Sequence, residues 1–128
     1  MSDVQRSDLT EPSSFELAVL AKFLAGDDER LRSTRSQLDG LRVAKRELTG
    51  VGFMTTFAKL GPPPQPGAGE VQFTDVDATI EGVEHGAGFV LYLTDGQIDV
   101  LEGYTYDEPW PNSIGRFNLT SAPDNTQT

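Results

Sequence analysis

Asp95-Gly96 constrains this chain more than any other dipeptide in it. Both residues tolerate the positive φ that the central positions of a type I′ turn require. Strand-like stretches flank them, the apolar Phe89 to Leu93 before and one holding Ile98, Val100 and Leu101 after. An antiparallel hairpin follows, its first strand apolar on both faces, as a covered central strand should be. Its second strand runs from Gln97 to about Tyr106. A two-residue turn pairs Thr94 with Gln97, so Leu93 faces Ile98, Leu91 faces Val100 and Phe89 faces Glu102. Continued, the ladder sets Ala87 beside Tyr104 and His85 beside Tyr106, all on the apolar side.

That register predicts a polar pocket of His85, Glu102, Tyr104 and Tyr106 at one end of the core. A carboxylate there is costly unless hydrogen-bonded, and desolvation raises its pKa. Glu102 is therefore expected as a proton acceptor or ligand anchor, with His85 able to titrate near neutral pH. The plainer alternative is a structural network of tyrosine hydroxyls around one acid. Gly86 and Gly88 are where a bulge could carry His85 off that face.

Elsewhere the pattern predicts an N-terminal helical pair packed on a four- to five-stranded, mainly antiparallel sheet, an α+β domain. Ser13 and Glu16 form a capping box, and Phe15, Leu17, Leu20, Phe23 and Leu24 recur at helical spacing. Gly26 is expected to end this helix in the left-handed conformation. A second helix opens at Asp27-Asp28-Glu29, carries Leu31, Leu38 and Leu41 as its stripe, and ends at Gly40. Arg30, Arg32, Arg35, Arg42, Lys45 and Arg46 read as a solvated face answering acids of the same molecule. Val43 to Leu60 turns to β, with Gly50 and Gly52 marking a bulge or a close backbone approach. Gly61 to Gly69 holds four prolines and reads as a stiff connector. Val71 to Gly82 reads as one strand with Val76, Ala78 and Ile80 inward. Pro109 and Pro111 end regular pairing around Trp110, after which Ile114, Phe117 and Leu119 are expected to tuck back. Residues 1–12 read as a flexible N-terminus, 13–119 as one domain and 120–128 as a disordered tail.

Charge narrows the partners. Of the net −10, residues 51–128 carry −9, with eleven acids against Lys59 and Arg116. Such a potential repels nucleic-acid backbones and anionic membranes, so neither is expected as a partner. No Cys and a single His leave no basis for thiol, iron–sulfur or multi-histidine zinc chemistry, and no metal or cofactor is expected. Asp75 and Asp77 on one strand face make a poor metal pair without further oxygen ligands. His85 has no nucleophile elbow near it, and Gly82, Gly86 and Gly88 lie between strands rather than before a helix. No catalytic residue is assigned. No apolar run reaches the about 20 residues of a membrane span, and the chain reads as cytoplasmic.

Three stretches, Thr49-Gly50-Val51-Gly52-Phe53, His85-Gly86-Ala87-Gly88-Phe89-Val90-Leu91 and Leu101 through Trp110, resemble segments of a group of small, acidic bacterial proteins of unknown function. The resemblance spans about residues 14–112, implies a bacterial and cytoplasmic origin, and carries over no catalytic residue.

Three functional readings follow. The first is a protein-binding module, of the inhibitor or immunity type, for a basic partner. Asp75, Asp77, Glu81 and Asp99 would share an exposed sheet surface, and Trp110 would be a half-buried anchor. The second is a small-molecule-binding protein or simple enzyme built on the Glu102–His85 pocket. The third is a homodimer that buries an aromatic sheet face.

Overall fold

The computed structural model describes residues 9–58 and 69–121. Apart from Gly69, the expected proline connector lies outside the described residues, as do 1–8 and 122–128 of the expected flexible ends. Along the chain come helices α1 (Ser14–Leu24) and α2 (Glu29–Arg32) and a 3-10 turn (Arg35–Leu38). Seven strands follow: β1 (Val43–Leu48), β2 (Gly52–Phe57), β3 (Glu70–Phe73), β4 (Val76–Ile80), β5 (Val83–Thr94), β6 (Gln97–Thr105) and β7 (Phe117–Ser121). The architecture is α+β, with every strand pair antiparallel.

The sheet runs β1-β2-β6-β5-β4-β7, with β3 also beside β5. It is wider than the four to five strands expected. Val71 to Gly82 is not one strand; it breaks at Thr74-Asp75, and the two halves pair with different stretches of the twelve-residue β5. The described part of the stretch expected as β, from Val43, doubles back through Gly50, at φ 88, into the β1–β2 hairpin. Phe117 and Leu119 return as the edge strand β7 on β4, so Thr120 and Ser121 belong to the sheet rather than to a tail. At the other end Thr10 bridges Val43, which brings the folded part forward of Ser13.

The capping box forms as expected: Glu16 N–H donates to Ser13 Oγ at 3.0 Å, and Ser13 N–H donates to Glu16 Oε1 at 2.8 Å. Val19, Leu20, Phe23 and Leu24 then bury one face of α1 in the core shared with the sheet. Gly26 does not take the left-handed conformation; α1 ends on Ala25 in the right-handed region. Arg35 supplies the cap instead, donating to the carbonyls of Leu24 and Gly26. The second helix stops after one turn. Ser33 and Thr34 donate their hydroxyls to the carbonyls of Arg30 and Leu31, which a longer helix would have used itself. Arg30, Arg32, Lys45 and Arg46 pair with Asp28, Glu29, Glu47 and Glu16, as the reading of a self-answering basic face requires.

The turn at Asp95-Gly96 has φ of 50° and 82°, and the first pairs are Thr94–Gln97 and Leu93–Ile98. There the straight register ends. The next pair is Tyr92–Val100, so Asp99 is an extra residue on β6 and every later pair shifts by one: Leu91–Leu101, Val90–Glu102, Phe89–Gly103, Gly88–Tyr104 and Ala87–Thr105. Because side chains alternate along a strand, this one residue turns Glu102 and Tyr104 to the opposite face and brings Leu101 inward. The energetics favour it. Burying a leucine is worth about 1.5–3 kcal/mol, while an unpaired buried carboxylate costs several. Leu91 and Leu101 are both fully buried as a result. No helix among the described residues is long and apolar enough to cross a membrane.

Candidate functional site on the open sheet face

Alternation sorts the strand residues into two sets. Phe53, Thr55, Phe57, Val76, Ala78, Ile80, Ala87, Phe89, Leu91 and Leu101 are buried toward α1. Glycines apart, their neighbours in sequence point the other way and are half-buried or exposed. Across that second face run rows of paired residues. Lys45, Thr56, Val100, Tyr92 and Gln72 form one row, and Glu47, Met54, Glu102 and Val90 the next. Tyr104, Gly88, Asp77 and Thr120 form a third. No described helix covers these rows.

Apolar and phenolic side chains occupy the middle of the face: Met54, Val90, Val100, Tyr92, Tyr104 and Tyr106. Tyr92 Oη donates to Glu102 Oε1 at 3.0 Å. Burial and the carboxylates of Glu102 and Glu70 push the Tyr92 phenol above its ordinary pKa. The rings of Tyr104 and Tyr106 meet edge to face, centroids 5.6 Å apart, and their hydroxyl ends lie over Gly88. A Cβ at position 88 would sit 2.6 Å from Tyr106 Oη and 2.8 Å from Tyr104 Oη, so only glycine leaves both phenols room. Burial, then Tyr104 and Asp77, push the Tyr106 phenol upward. Tyr92 and Tyr106 therefore stay protonated donors at neutral pH.

Around this centre stand Glu47, Glu70, Asp77, Asp99 and Glu102, with Lys45 the one base among the described strand residues of that face. Lys45 is itself paired to Glu47 at 3.2 Å.

The expected pocket is corrected by this geometry. Glu102 lies on the open face, bound to Tyr92, not in a core row opposite Phe89. Tyr104 and Tyr106 share that face with it. His85 does not pair with Tyr106; it sits in a wide bulge between Ala87 and Val83, where the β4–β5 register shifts and Gly86 takes φ 74. The bulge leaves the Glu84 and His85 N–H groups without ladder partners, and both donate to the Glu108 carboxylate, at 3.2 and 3.0 Å. The His85 side chain is exposed.

The four acids expected on one surface divide. Asp77 and Asp99 are on the open face, Asp99 accepting from Thr94 Oγ1 at 2.7 Å. Asp75 instead lines a groove against the α1–α2 connection with Lys22 and Asp28. Glu81 lies beyond the end of β4, where it accepts from Arg116 N–H. Trp110 is half-buried on the helix side, 5.0 Å from Phe53 and 6.2 Å from Phe15 between centroids. It belongs to the core margin rather than to the acidic face.

One arrangement escaped the sequence reading. Glu16, 4% exposed, accepts from Arg46 Nε and Nη2 at 2.8 and 2.7 Å and from Thr55 Oγ1 at 2.7 Å, besides Ser13. Burial pushes its carboxyl up, but the Arg46 guanidinium, the Ser13 N–H and the Thr55 hydroxyl outweigh that and hold it below the ordinary value. The capping box had already given Glu16 a role, and nothing local in sequence joins it to Arg46, thirty residues on.

The chain matches no family model, and no curated protein or solved structure matches it.

Proposed function

We propose that this chain is a protein-binding module that offers the open face of its sheet to a basic protein surface. One observation carries the reading: tyrosines and apolar side chains at the centre of a face that no described helix covers, with five carboxylates and one, already paired, lysine around them among the described strand residues. Tyrosine and methionine are enriched at protein interfaces, where they supply contact area at low entropic cost. The surrounding acids steer a basic partner and reject acidic ones. The −9 carried by residues 51–128 adds a long-range field of the same sign. An inhibitor or immunity role fits this chemistry, since such a protein must reach its target fast.

Self-association through the same face is the weaker reading, because two copies would oppose like charges across the contact. A catalytic reading around Glu102 and His85 has lost the geometry that motivated it.

The test is capture of a basic protein from the native host by the intact chain, followed by association kinetics. The double variant Glu70→Lys/Asp77→Lys, remote from the core, is expected to slow association at least tenfold at low salt and to leave unfolding unchanged. Association that ignores both the charge reversal and the ionic strength overturns the proposal.

A further inference from the structure

On the helix side, at the end of the sheet away from the Asp95–Gly96 turn, a cleft of about 410 Å³ opens between the start of α1, the β1–β2 hairpin and the 110–114 segment. That lies within the roughly 300–1,000 Å³ of ordinary small-molecule sites. Phe15, Phe53 and Trp110 form its walls. The walls are fixed in advance. Phe53 lies against Gly103, where a Cβ would come within 2.4 Å of its ring, and Trp110 N–H donates to Gly50 O at 3.0 Å. Leu48 stands at the lip, 81% exposed, an apolar side chain with little to cover it.

The polar corner is built on Glu16 and Arg46, with Ser13 and Ser14 beside them. Glu16 accepts four hydrogen bonds, two on each oxygen, and so has no acceptor position left to offer. Arg46 donates to it only through Nε and one hydrogen of Nη2, leaving both hydrogens of Nη1 for another acceptor. Its side chain is 42% exposed and lines the cleft. The cleft thus combines flat apolar walls with a corner where Arg46 gives charged hydrogen bonds, Glu16 is already satisfied, and the hydroxyls of Ser13 and Ser14 can also donate.

We infer that this cleft binds a small apolar carboxylate, its body against Phe15, Phe53 and Trp110 and its carboxylate on Arg46 Nη1. A neutral ligand would use the walls and forgo the charge-assisted bonds. A dianion such as a phosphate monoester would meet the field of a chain with net charge −10 at twice the penalty. The ion pair is neutral as a whole, so the anion is held by oriented donors rather than net charge, and modest affinity follows. This site is on the opposite side of the sheet from the proposed protein-binding face, and either can stand without the other.

The experiment titrates 4-phenylbutyrate and, separately, 4-phenylbutanol into the full chain, followed by NMR at the Trp110 indole and the Arg46 Nε–H. The expected result is a saturable Trp110 shift with both probes. The carboxylate should bind at least tenfold tighter and alone move Arg46 Nε–H. Leu48→Asp should weaken carboxylate binding several-fold and Leu48→Lys strengthen it, the alcohol responding to neither sign; position 48 is exposed, so both variants fold. No saturable shift at Trp110, equal binding of acid and alcohol, or no dependence on the charge at position 48 overturns the inference. If Leu48→Asp fails to fold, the sign of the Leu48→Lys effect and the acid-to-alcohol ratio decide alone.

Discussion

Thr94 Oγ1 donates to Asp99 Oδ2 at 2.7 Å, and that contact spans the one-residue bulge which sets the register of the whole β5–β6 ladder. Its position is what matters. It lies immediately after the turn, so everything from Tyr92 and Val100 onward inherits the shift. Removing the hydroxyl by Thr94→Val should cost about 1–2 kcal/mol for a hydrogen bond to a charged group, without changing the register. Deleting Asp99 itself closes the bulge and leaves the later pairs as they are, with Leu101 opposite Leu91 and Glu102 opposite Val90, so it should cost about the same as losing that hydrogen bond. Urea unfolding of the two variants is the measure, and a several-fold larger loss for the deletion would show that the bulge itself, not only its hydrogen bond, holds the hairpin.

Two positions explain how far the sequence could be read. The Asp95–Gly96 turn was legible because its chemistry is local: two residues that tolerate positive φ between strand-like stretches. Asp99 was not, because a bulge residue has no composition of its own and is chosen by what it lets Leu101 and Glu102 do two and three positions on. The same contrast holds at the ends of the sheet. Ser13 and Glu16 announced α1, yet the partner that Glu16 finds in Arg46 is fixed only by tertiary packing. Strand β7 is five residues with a polar Asn118 inside, too short for periodicity to identify. The candidate face was half legible. Tyr104, Tyr106, Asp77, Asp99 and Glu102 were picked out and Tyr92, Glu47 and Glu70 were not, and the register that puts Glu102 and Tyr104 outside depends on a single residue.

The Glu16–Arg46 pair should respond asymmetrically to its two halves. Arg46→Met leaves Glu16 buried and without its counter-charge, costing about 3–5 kcal/mol at neutral pH. Glu16→Gln strands only a partly exposed guanidinium and should cost less, about 1–2 kcal/mol. The pH dependence has a definite sign. Glu16 is held below its ordinary value of 4.5, so its contribution is full above that value and is lost as pH falls through the lower folded value. The difference between wild type and Arg46→Met should therefore shrink as pH drops below about 5. A difference constant down to acid unfolding would show that the charge of Glu16 is not what Arg46 holds.

Glu108 closes the bulge that carries His85. Its two oxygens accept from the N–H groups of Glu84 and His85, so Glu108→Ala leaves both donors to water. Both are exposed, and the loss should be about 1 kcal/mol, felt locally rather than globally. Hydrogen exchange is the measure. The amides of residues 84 and 85 should speed up about fivefold, while those of Leu91 and Leu101 stay as protected as before. Uniform acceleration across β5 would place the effect in global unfolding instead.

Gly52 and Gly88 both sit where a side chain has no room, but against different obstacles. At Gly52 a Cβ would lie 1.9 Å from the Gly103 carbonyl oxygen, which is backbone of the neighbouring strand and cannot yield without breaking the β2–β6 ladder. At Gly88 the nearest atoms are the hydroxyl ends of Tyr104 and Tyr106, which can swing aside. Gly52→Ala should thus cost about 3 kcal/mol or more, whereas Gly88→Ala should cost about 1–2 kcal/mol. The second variant carries the functional information. It prises the two phenols apart on the open face while the core stays intact, so a partner that rests on them should dissociate faster with little change in association rate. Equal thermal destabilisation by the two alanines would contradict the difference between backbone and side-chain obstruction on which this ordering rests.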